Sequence, residues 1–387
     1  MRIAIDATSA LNQRGFGRFT RQLLQTLVAR NDQHEYVFLV DRTPGESDLP
    51  AGCEVINAQP RRTVMESAVN GSRRSLADMF AFTKATHRCK PDVFFCPTIY
   101  SYFPLPVGLR SVICFHDTIA EDFPELIFSR SAERWAWRAK VWLALRQASR
   151  IMTVSESSRI SLMRRFQLAS SLIDVVTEGP SPLFAGAIDE TLCQTALGNL
   201  DLGDRPYLLF VGGISPHKNL LTLLDAMGLV LKHHDVNLLM VGDPSAGGFL
   251  ANHPELMKKI DASEALRSHC VFTGFVPDTT LAALYSRAEA LVFPSLGEGF
   301  GLPAVEAMSQ GLPVLASNAG SLQEIVADAG LYYPPLNAAE MARKINAFLS
   351  DPTLQATLRD RALKRVRRFT WARAADLAME SFERAAS

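Results

Sequence analysis

The stretch whose reading decides the fold is Pro294-Ser295-Leu296-Gly297-Glu298-Gly299-Phe300-Gly301-Leu302-Pro303-Ala304-Val305-Glu306. It follows an apolar run, Ala290 to Phe293, that predicts a strand, and it leads into a helical segment ending near Gly311. A glycine-rich turn between strand and helix offers backbone N–H groups to anionic or hydroxyl-rich ligands. Pro303 suits the first helical turn, where a missing N–H costs nothing. Glu298 then approaches from the loop, and Glu306 sits one turn inside the helix. The same residues also read as an acidic turn beside a helix, so the rest of the chain must decide.

A length of 387 residues predicts about two domains. With 48% hydrophobic residues, burying sizeable cores presents no difficulty. The 40 basic and 40 acidic residues cancel without any block of like charge, which argues against a nucleic-acid partner held by a broad basic face. A membrane partner needs only a local basic-aromatic patch. Met1 to Asp6 reads as a strand and lacks the apolar core of a signal peptide. No apolar run approaches the ~20 residues of a spanning helix. Six scattered cysteines, without a CxxC pair or companion histidines, read as buried reduced thiols rather than zinc ligands or disulfides. The cytoplasm is the expected compartment.

The chain alternates short apolar runs with longer helical patterns. Ile3–Ile5, Tyr36–Val40, Val55–Ile56, Val93–Phe95, Val112–Phe115, Ile151–Val154 and Val175–Val176 predict strands. Several are apolar throughout, as parallel strands covered on both faces should be. Phe19–Ala29, Ser75–Arg88, Ser131–Ser149 and Glu156–Phe166 predict helices, the last with Ser155 as N-cap. The pattern weakens over Glu178-Gly179-Pro180-Ser181-Pro182 and again over Asp201–Pro206. A second series follows, with strands at Tyr207–Val211, Leu238–Val241, Val271–Thr273, Leu291–Phe293 and Val314–Ala316. Its helices fall at Leu220–Leu231, Asp278–Ser286 and Pro303–Ser309, with Asp278 as an N-cap. The tail is helical and basic, broken at Phe369-Thr370-Trp371. The expected layout is an α/β chain of two Rossmann-like β/α/β domains, 1–180 and 181–370, with helix 371–387 packing back on the first. Two such halves would face each other across a cleft lined by loops from the strands' C-terminal ends.

Three further pieces are candidates for chemistry. Gly15-Phe16-Gly17-Arg18 lies between the first strand and a helix, where glycine lets the backbone turn close to a ligand. Thr20 takes the third glycine position of a GxGxxG fingerprint, so a dinucleotide site is not expected, and the segment reads equally as a simple turn. His116-Asp117 ends a strand, where a histidine can bind a sugar hydroxyl or shuttle a proton, or can be a structural histidine held by Asp117. In Val211-Gly212-Gly213-Ile214-Ser215-Pro216-His217-Lys218-Asn219, Lys218 stands where a helix begins. A lysine there opposes the helix dipole unless an anion shares the site, and a phosphate would make sense of it. The alternative is an exposed surface lysine.

In combination these segments are far more specific than any one alone. The chain resembles retaining glycosyltransferases of the two-Rossmann-domain GT-B fold, in the large group with an E-x7-E motif, family GT4. The most specific part is Phe293-Pro294-Ser295 through Glu298-Gly299-Phe300-Gly301-Leu302-Pro303 to Glu306-Ala307-Met308. Asp6, Gly15-Phe16-Gly17-Arg18, His116-Asp117, Val154-Ser155-Glu156-Ser157, Pro216-His217-Lys218-Asn219 and Ser321-Leu322-Gln323-Glu324 match in order.

The resemblance implies a site made of Gly15, Phe16, Gly17, Arg18, Gly212, Gly213, Lys218, Glu298, Gly299, Phe300, Gly301, Leu302 and Glu306, with His116, Lys218 and Glu298 as its catalytic groups. Glu298 would contact donor-sugar hydroxyls, and the amides of Phe300, Gly301 and Leu302 would bind sugar or diphosphate. Glu306 would hold the ribose, Lys218 would neutralise the diphosphate, Gly17 would lie beside the phosphates and His116 near the transferred sugar. It also implies front-face retention, in which the departing phosphate helps deprotonate the acceptor.

Two departures stand out. Many members place an arginine at the position of Gly213, and His217 replaces the arginine of relatives that carry Pro-Arg-Lys-Asn. A weaker or pH-sensitive donor site is the expectation, read out between about pH 5.5 and 8. No Asp-x-Asp triplet is present, so no metal or other cofactor is expected.

The partners implied are a nucleotide sugar, GDP- or UDP-hexose, and a glycan or lipid-linked acceptor. Similarity to mannosyltransferases of surface polysaccharides favours GDP-mannose. Arg134-Trp135-Ala136-Trp137-Arg138-Ala139-Lys140-Val141-Trp142 reads either as a membrane-interface helix or as a helix packing its tryptophans inward while its cations snorkel. The first reading adds a peripheral place on the inner membrane face, and Arg61-Arg62 and Arg73-Arg74 add basic charge. Two rival classes remain: a sugar-nucleotide epimerase, which needs no acceptor, and a non-catalytic sugar-nucleotide-binding partner.

Overall fold

In the computed structural model of this protein, the described residues are 1–12, 15–45, 48–60, 75–198, 200, 205–242 and 253–387. They form two parallel sheets, each in its own compact unit. The first unit comprises Met1–Pro124, Phe128–Glu178 and Thr370–Ser387; the second comprises Glu125–Ile127 and Gly179–Phe369.

The sheet of the first unit is built from β1 (Arg2–Asp6), β2 (Glu35–Val40), β3 (Glu54–Asn57), β4 (Val93–Cys96), β5 (Ser111–Cys114), β6 (Arg150–Thr153) and β7 (Ile173–Val175). Their spatial order is β3-β2-β1-β4-β5-β6-β7. Every pairing is parallel. The chain steps outward from β1 to β3, then returns to lay β4 against the other side of β1. That reversal is a topological switch point, where open sheets of this kind hold ligands beyond their strands' C-terminal ends. β4 and β5 are buried at every residue, which accounts for their unbroken apolar runs. β3, at the edge, is mostly exposed.

The second unit repeats the plan with β8 (Tyr207–Val211), β9 (Asn237–Val241), β10 (Cys270–Gly274), β11 (Ala290–Phe293), β12 (Val314–Ser317) and β13 (Gly330–Tyr333). Their order, β10-β9-β8-β11-β12-β13, puts the switch point between β8 and β11. The strand Gly330–Tyr333 is not among those expected from the sequence. Its four residues run straight into Pro334 and Pro335, and its pairing with β12 is a non-local fact.

Each sheet has its own apolar core. Phe82, Phe94, Phe103 and Ile151 centre the first, and Leu223, Met227, Leu238 and Phe348 the second. The helix Trp371–Ala386 belongs to the first unit. Its Phe382 ring lies 5.1 Å from Phe95 and its Trp371 ring 6.1 Å from Phe19. Asp174 of β7 anchors it, accepting from Ser381 Oγ at 2.8 Å and Arg384 Nη1 at 2.6 Å, with Arg150 on its other side. Burial alone would raise the pKa of Asp174, but these three donors hold it below the ordinary carboxylate value.

Two local expectations are corrected. Asp278 does not cap its helix: it is the first helical residue, and Pro277 occupies the cap position without a side-chain bond. Ser155, by contrast, accepts from the Ser158 N–H at 3.0 Å. Gly15-Phe16-Gly17-Arg18 is not a loop but the first turn of the helix Gly15–Ala29. A short turn, Thr8–Leu11, stands between β1 and that helix and supplies the reversal expected of the glycines. Arg61-Arg62, Arg73-Arg74 and most of the stretch Asp201–Pro206 lie outside the described residues.

Candidate functional site

In the second unit, β8 ends in Gly212-Gly213 and the chain then makes a tight turn, Pro216–Lys218, before the helix Leu220–Val230. On the far side of the switch point, β11 ends in Phe293 and the quoted loop begins. Lys218 Nζ meets Glu298 Oε1 at 2.6 Å, bridging the two loops. Their side chains are only 18% and 11% exposed, so solvent screens the pair far less than it would a surface ion pair. The ammonium also lies 5.7 Å from the centre of the Phe293 ring. Leu296 N–H donates to His217 O at 2.8 Å, and Asn219 Nδ2 donates to Pro294 O at 3.0 Å. The cation and the carboxylate therefore sit on loops that are tied together independently of the ion pair.

The loop is also braced from behind by Ser317, Gly320 and Ser321. Gly320 has φ +60°, and a Cβ there would stand 2.5 Å from Glu298 N and 2.7 Å from Glu298 O. Ser321 N–H donates to Glu298 O at 3.2 Å, and its Oγ donates to Phe300 O at 2.8 Å. Ser317 Oγ donates to Ser295 O at 2.6 Å. The signal was the Ser321-Leu322-Gln323-Glu324 match, but its partners are visible only in three dimensions. Gly301, at φ +97°, starts the helix Leu302–Ser309, with Pro303 in its first turn. Gly299, Phe300 and Leu302 are buried around that turn.

Glu306 is fully buried, and Tyr285, itself buried, donates to its Oε2 at 3.2 Å. A ribose could reach this carboxylate only after local movement. At Gly213 an added Cβ meets nothing within 4 Å, so packing does not demand glycine there. Gly212 is crowded instead: its N–H bonds to Val241 O, and a Cβ on Gly242 would stand 2.0 Å from Gly212 O. His217 has a buried Nδ1 without a partner. Burial, and after it the neighbouring Lys218 charge, lower its pKa to about 4. The imidazole is neutral at physiological pH and does not replace an arginine's charge, so the expected pH-sensitivity of the donor site has no titrating group here above about pH 5.5.

In the first unit, the structure brings the remaining candidates together around His116, which is 6% exposed. Phe19 packs edge-on against its ring at 4.7 Å between centroids, and Phe16 at 5.1 Å. Gly17 is buried where the helix crosses the preceding turn: a Cβ would fall 1.7 Å from Asn12 O, so only glycine permits the approach. Gly15 is exposed, and Arg18 is half-buried. Both nitrogens of His116 are engaged, Nε2 with Pro97 O at 2.9 Å and Nδ1 with Glu178 Oε1 at 3.6 Å. Burial opposes protonation, but the Cys114 thiol and then Glu178 outweigh it and hold the pKa well above its ordinary value. The partner expected, Asp117, instead accepts from the Ile119 N–H at 2.9 Å.

The tryptophan-rich helix, Ser131–Gln147, presents two faces. Trp137 turns inward and donates to Glu121 Oε1 at 2.6 Å. Trp135 and Trp142 are 67% and 58% exposed, with Arg138 and Arg146 stacked over them at 5.0 and 5.2 Å. Among the described residues, no helix is long and apolar enough to cross a membrane.

Comparison with known proteins bears on both halves. Residues 14–180 match the model for Glycosyltransferase Family 4, and residues 199–365 that for Glycosyl transferases group 1. The chain is 29% identical over 280 residues to O-antigen chain mannosyltransferase B of Escherichia coli, covering 70% of this chain and 69% of that one. It is 30% identical over 243 residues to the serotype-specific mannosyltransferase WbdA of Escherichia coli, covering 62% of this chain but only 29% of that longer relative. Among solved structures, sucrose-phosphate synthase from Thermosynechococcus elongatus aligns over 100% of both chains at 23% identity, with a TM-score of 0.76. Anabaena HepE in complex with UDP-glucose aligns over 99% of each at 20% identity, with a TM-score of 0.76. At such identities the structures speak to the fold alone, and that fold is GT-B, an α/β architecture of two domains.

Proposed function

Because the chain belongs to the group 1 glycosyltransferases of family GT4, and is on that ground a hexosyltransferase, we propose that it moves mannose from GDP-mannose to a glycan or lipid-linked oligosaccharide, with retention at the anomeric carbon. The observation that supports this most is the Lys218–Glu298 pair at the switch point of the second sheet. Without donor, the two charges neutralise each other. A sugar diphosphate offers each a better partner: the phosphates take Lys218, and the sugar hydroxyls take Glu298. The start of the helix at Leu302 adds backbone amides that favour the negative charge building on the leaving phosphate. The phosphate leaves on the face that the acceptor hydroxyl approaches and accepts its proton. Metal-independent leaving-group stabilisation fits the lack of an Asp-x-Asp triplet.

Mannose rests on the names of the mannosyltransferase relatives, and guanosine only on the resemblance drawn from the sequence. The nucleotide bound in the structural neighbour supports a second reading, a UDP-hexose donor. Thermal stabilisation by GDP, UDP, ADP and their sugars decides between them, because a ligand specific for the folded state raises the melting temperature with concentration. Preference for UDP overturns the guanosine assignment. Conversion of donor without any acceptor would instead favour an epimerase.

A peripheral membrane contact through the outer face of the helix Ser131–Gln147 belongs to the same proposal. Exposed indoles paired with arginines suit an anionic lipid interface. Wild type should co-sediment with vesicles containing anionic lipid, and a Trp135→Ala/Trp142→Ala variant should not. Equal sedimentation of the two removes the contact.

A further inference from the structure

The first unit holds a constellation that the donor site does not use. The segments following β1, β4 and β5, three neighbouring strands, bring Phe16, Tyr100 and Glu121 to the ligand side of the sheet, on both sides of its switch point. The helix Ser131–Gln147 adds Trp137. The rings form a continuous strip: Phe16 to Tyr100 at 4.9 Å and Tyr100 to Trp137 at 5.1 Å between centroids. At the Phe16 end the strip meets His116, at 5.1 Å. All three strip residues, and Glu121, are half-buried rather than sealed. The indole N–H of Trp137 donates to Glu121 Oε1, which fixes the carboxyl against the strip. Lys140 Nζ donates to Tyr100 O at 2.7 Å and pins the loop that carries it.

A core that required only packing would place an apolar side chain where Glu121 stands. Burial raises this carboxyl's pKa to about 7, the Trp137 hydrogen bond opposing it and Asp117 and Asp122 pushing in the same direction. The Trp137 N–H satisfies part of this carboxyl's bonding capacity, and its other lone pairs can accept from the hydroxyls of a ligand. Aromatic faces beside a fixed hydroxyl acceptor are what a sugar ring needs: its C–H face packs on the rings, and its hydroxyls donate to the carboxyl.

We propose that Tyr100, Trp137 and Glu121 form a subsite for a hexopyranose ring of the acceptor glycan. This rests on the glycosyltransferase reading, and it adds where in the first unit the acceptor is held and by which side chains.

The test uses the full chain and α-linked mannobiose as the probe. Glycan binding is followed by calorimetry and by indole fluorescence, GDP binding by calorimetry. Glu121→Gln keeps the shape of the side chain, and Trp137→Phe keeps an aromatic ring, so both variants should fold. Each is expected to weaken mannobiose binding about tenfold or more, and to raise KM for an acceptor glycan while leaving KM for the donor and the affinity for GDP unchanged. Unchanged mannobiose binding in both variants overturns the subsite, as does parallel loss of mannobiose and GDP, or a wild-type protein that ignores mannobiose. If wild type binds mannobiose through Glu121 yet binds neither GDP nor UDP, the donor reading falls and the subsite stands.

Discussion

His116 and His217 each lie in a loop beyond the C-terminal end of a parallel strand, one in each unit, and their surroundings shift their pKa values in opposite directions. His116 has a carboxylate at Nδ1 and a carbonyl at Nε2, so the proton is held. His217 has a buried nitrogen without a partner and a lysine beside it, so the proton is expelled. The contrast extends to the surroundings. The first unit gathers aromatic rings around His116, whereas the second sets a compact ion pair on a frame of glycines and serines. A surface of rings suits neutral, hydroxyl-rich matter; a fixed charge on a stiff frame suits a leaving diphosphate. On the function proposed above, similar topologies would serve different halves of one reaction.

The largest effect that could break this contrast concerns the ion pair. Lys218→Ala and Glu298→Gln should each lower sugar-nucleotide turnover by about 10²–10³-fold in a protein that remains folded, the scale for removing one preorganised electrostatic group. Near-wild-type turnover in either, measured by product chromatography, would remove the second unit's claim to the donor.

Next comes pH. For His217 the folded pKa is depressed, so the unfolded chain binds the extra proton first. The stability tied to it is complete above about pH 6.5 and is lost as pH falls toward 4, to a limit of about 3 kcal/mol. For His116 the folded pKa is raised, so its contribution is complete below about pH 6.5 and is lost as pH rises through the folded value. All four tryptophans belong to the first unit, so their fluorescence follows its unfolding. The alkaline loss should appear in that signal and vanish in His116→Gln. The acid loss should appear in circular dichroism and shrink in His217→Phe. Identical pH profiles for all three proteins would dissolve the contrast between the histidines.

A smaller effect sharpens the account of the frame. Gly320→Ala forces a Cβ into the Glu298 backbone at a positive φ and should cost about 2 kcal/mol in denaturant unfolding while weakening donor binding. A neutral outcome would mean that the loop is free to yield. Smallest is the pair of caps. Ser155→Ala, in the first unit, should cost about 1 kcal/mol, and Asp278→Ala, in the second, less than about 0.5 kcal/mol. Equal costs would contradict the cap assignments.

The strand runs and the Glu298–Glu306 segment were legible because continuous apolar runs and a glycine turn before Pro303 are local signals. Lys218 was legible because a cation at a helix start is locally uncomfortable. Glu178 as the partner of His116, Gly320 behind Glu298, and Glu121 under Trp137 were not legible. Each is a meeting of residues 16 to 62 positions apart in the chain, decided by sheet order rather than by neighbours. The glycines at 15 and 17 misled for a related reason. Gly17 is required by contact with Asn12 across a helix crossing, not by a turn of its own.

The chain leaves the first unit after Glu178 and re-enters it at Thr370. During synthesis, then, the ribosome finishes the second unit while the first still lacks the helix Trp371–Ala386. Asp174, Phe95 and Phe19 must wait for partners that lie roughly two hundred to three hundred and fifty residues further along the chain. A nascent first unit would expose that apolar surface for the whole interval, which makes it a natural client for a holding chaperone. A chain stopped after Phe369 should accumulate with an intact second unit and an aggregation-prone first one.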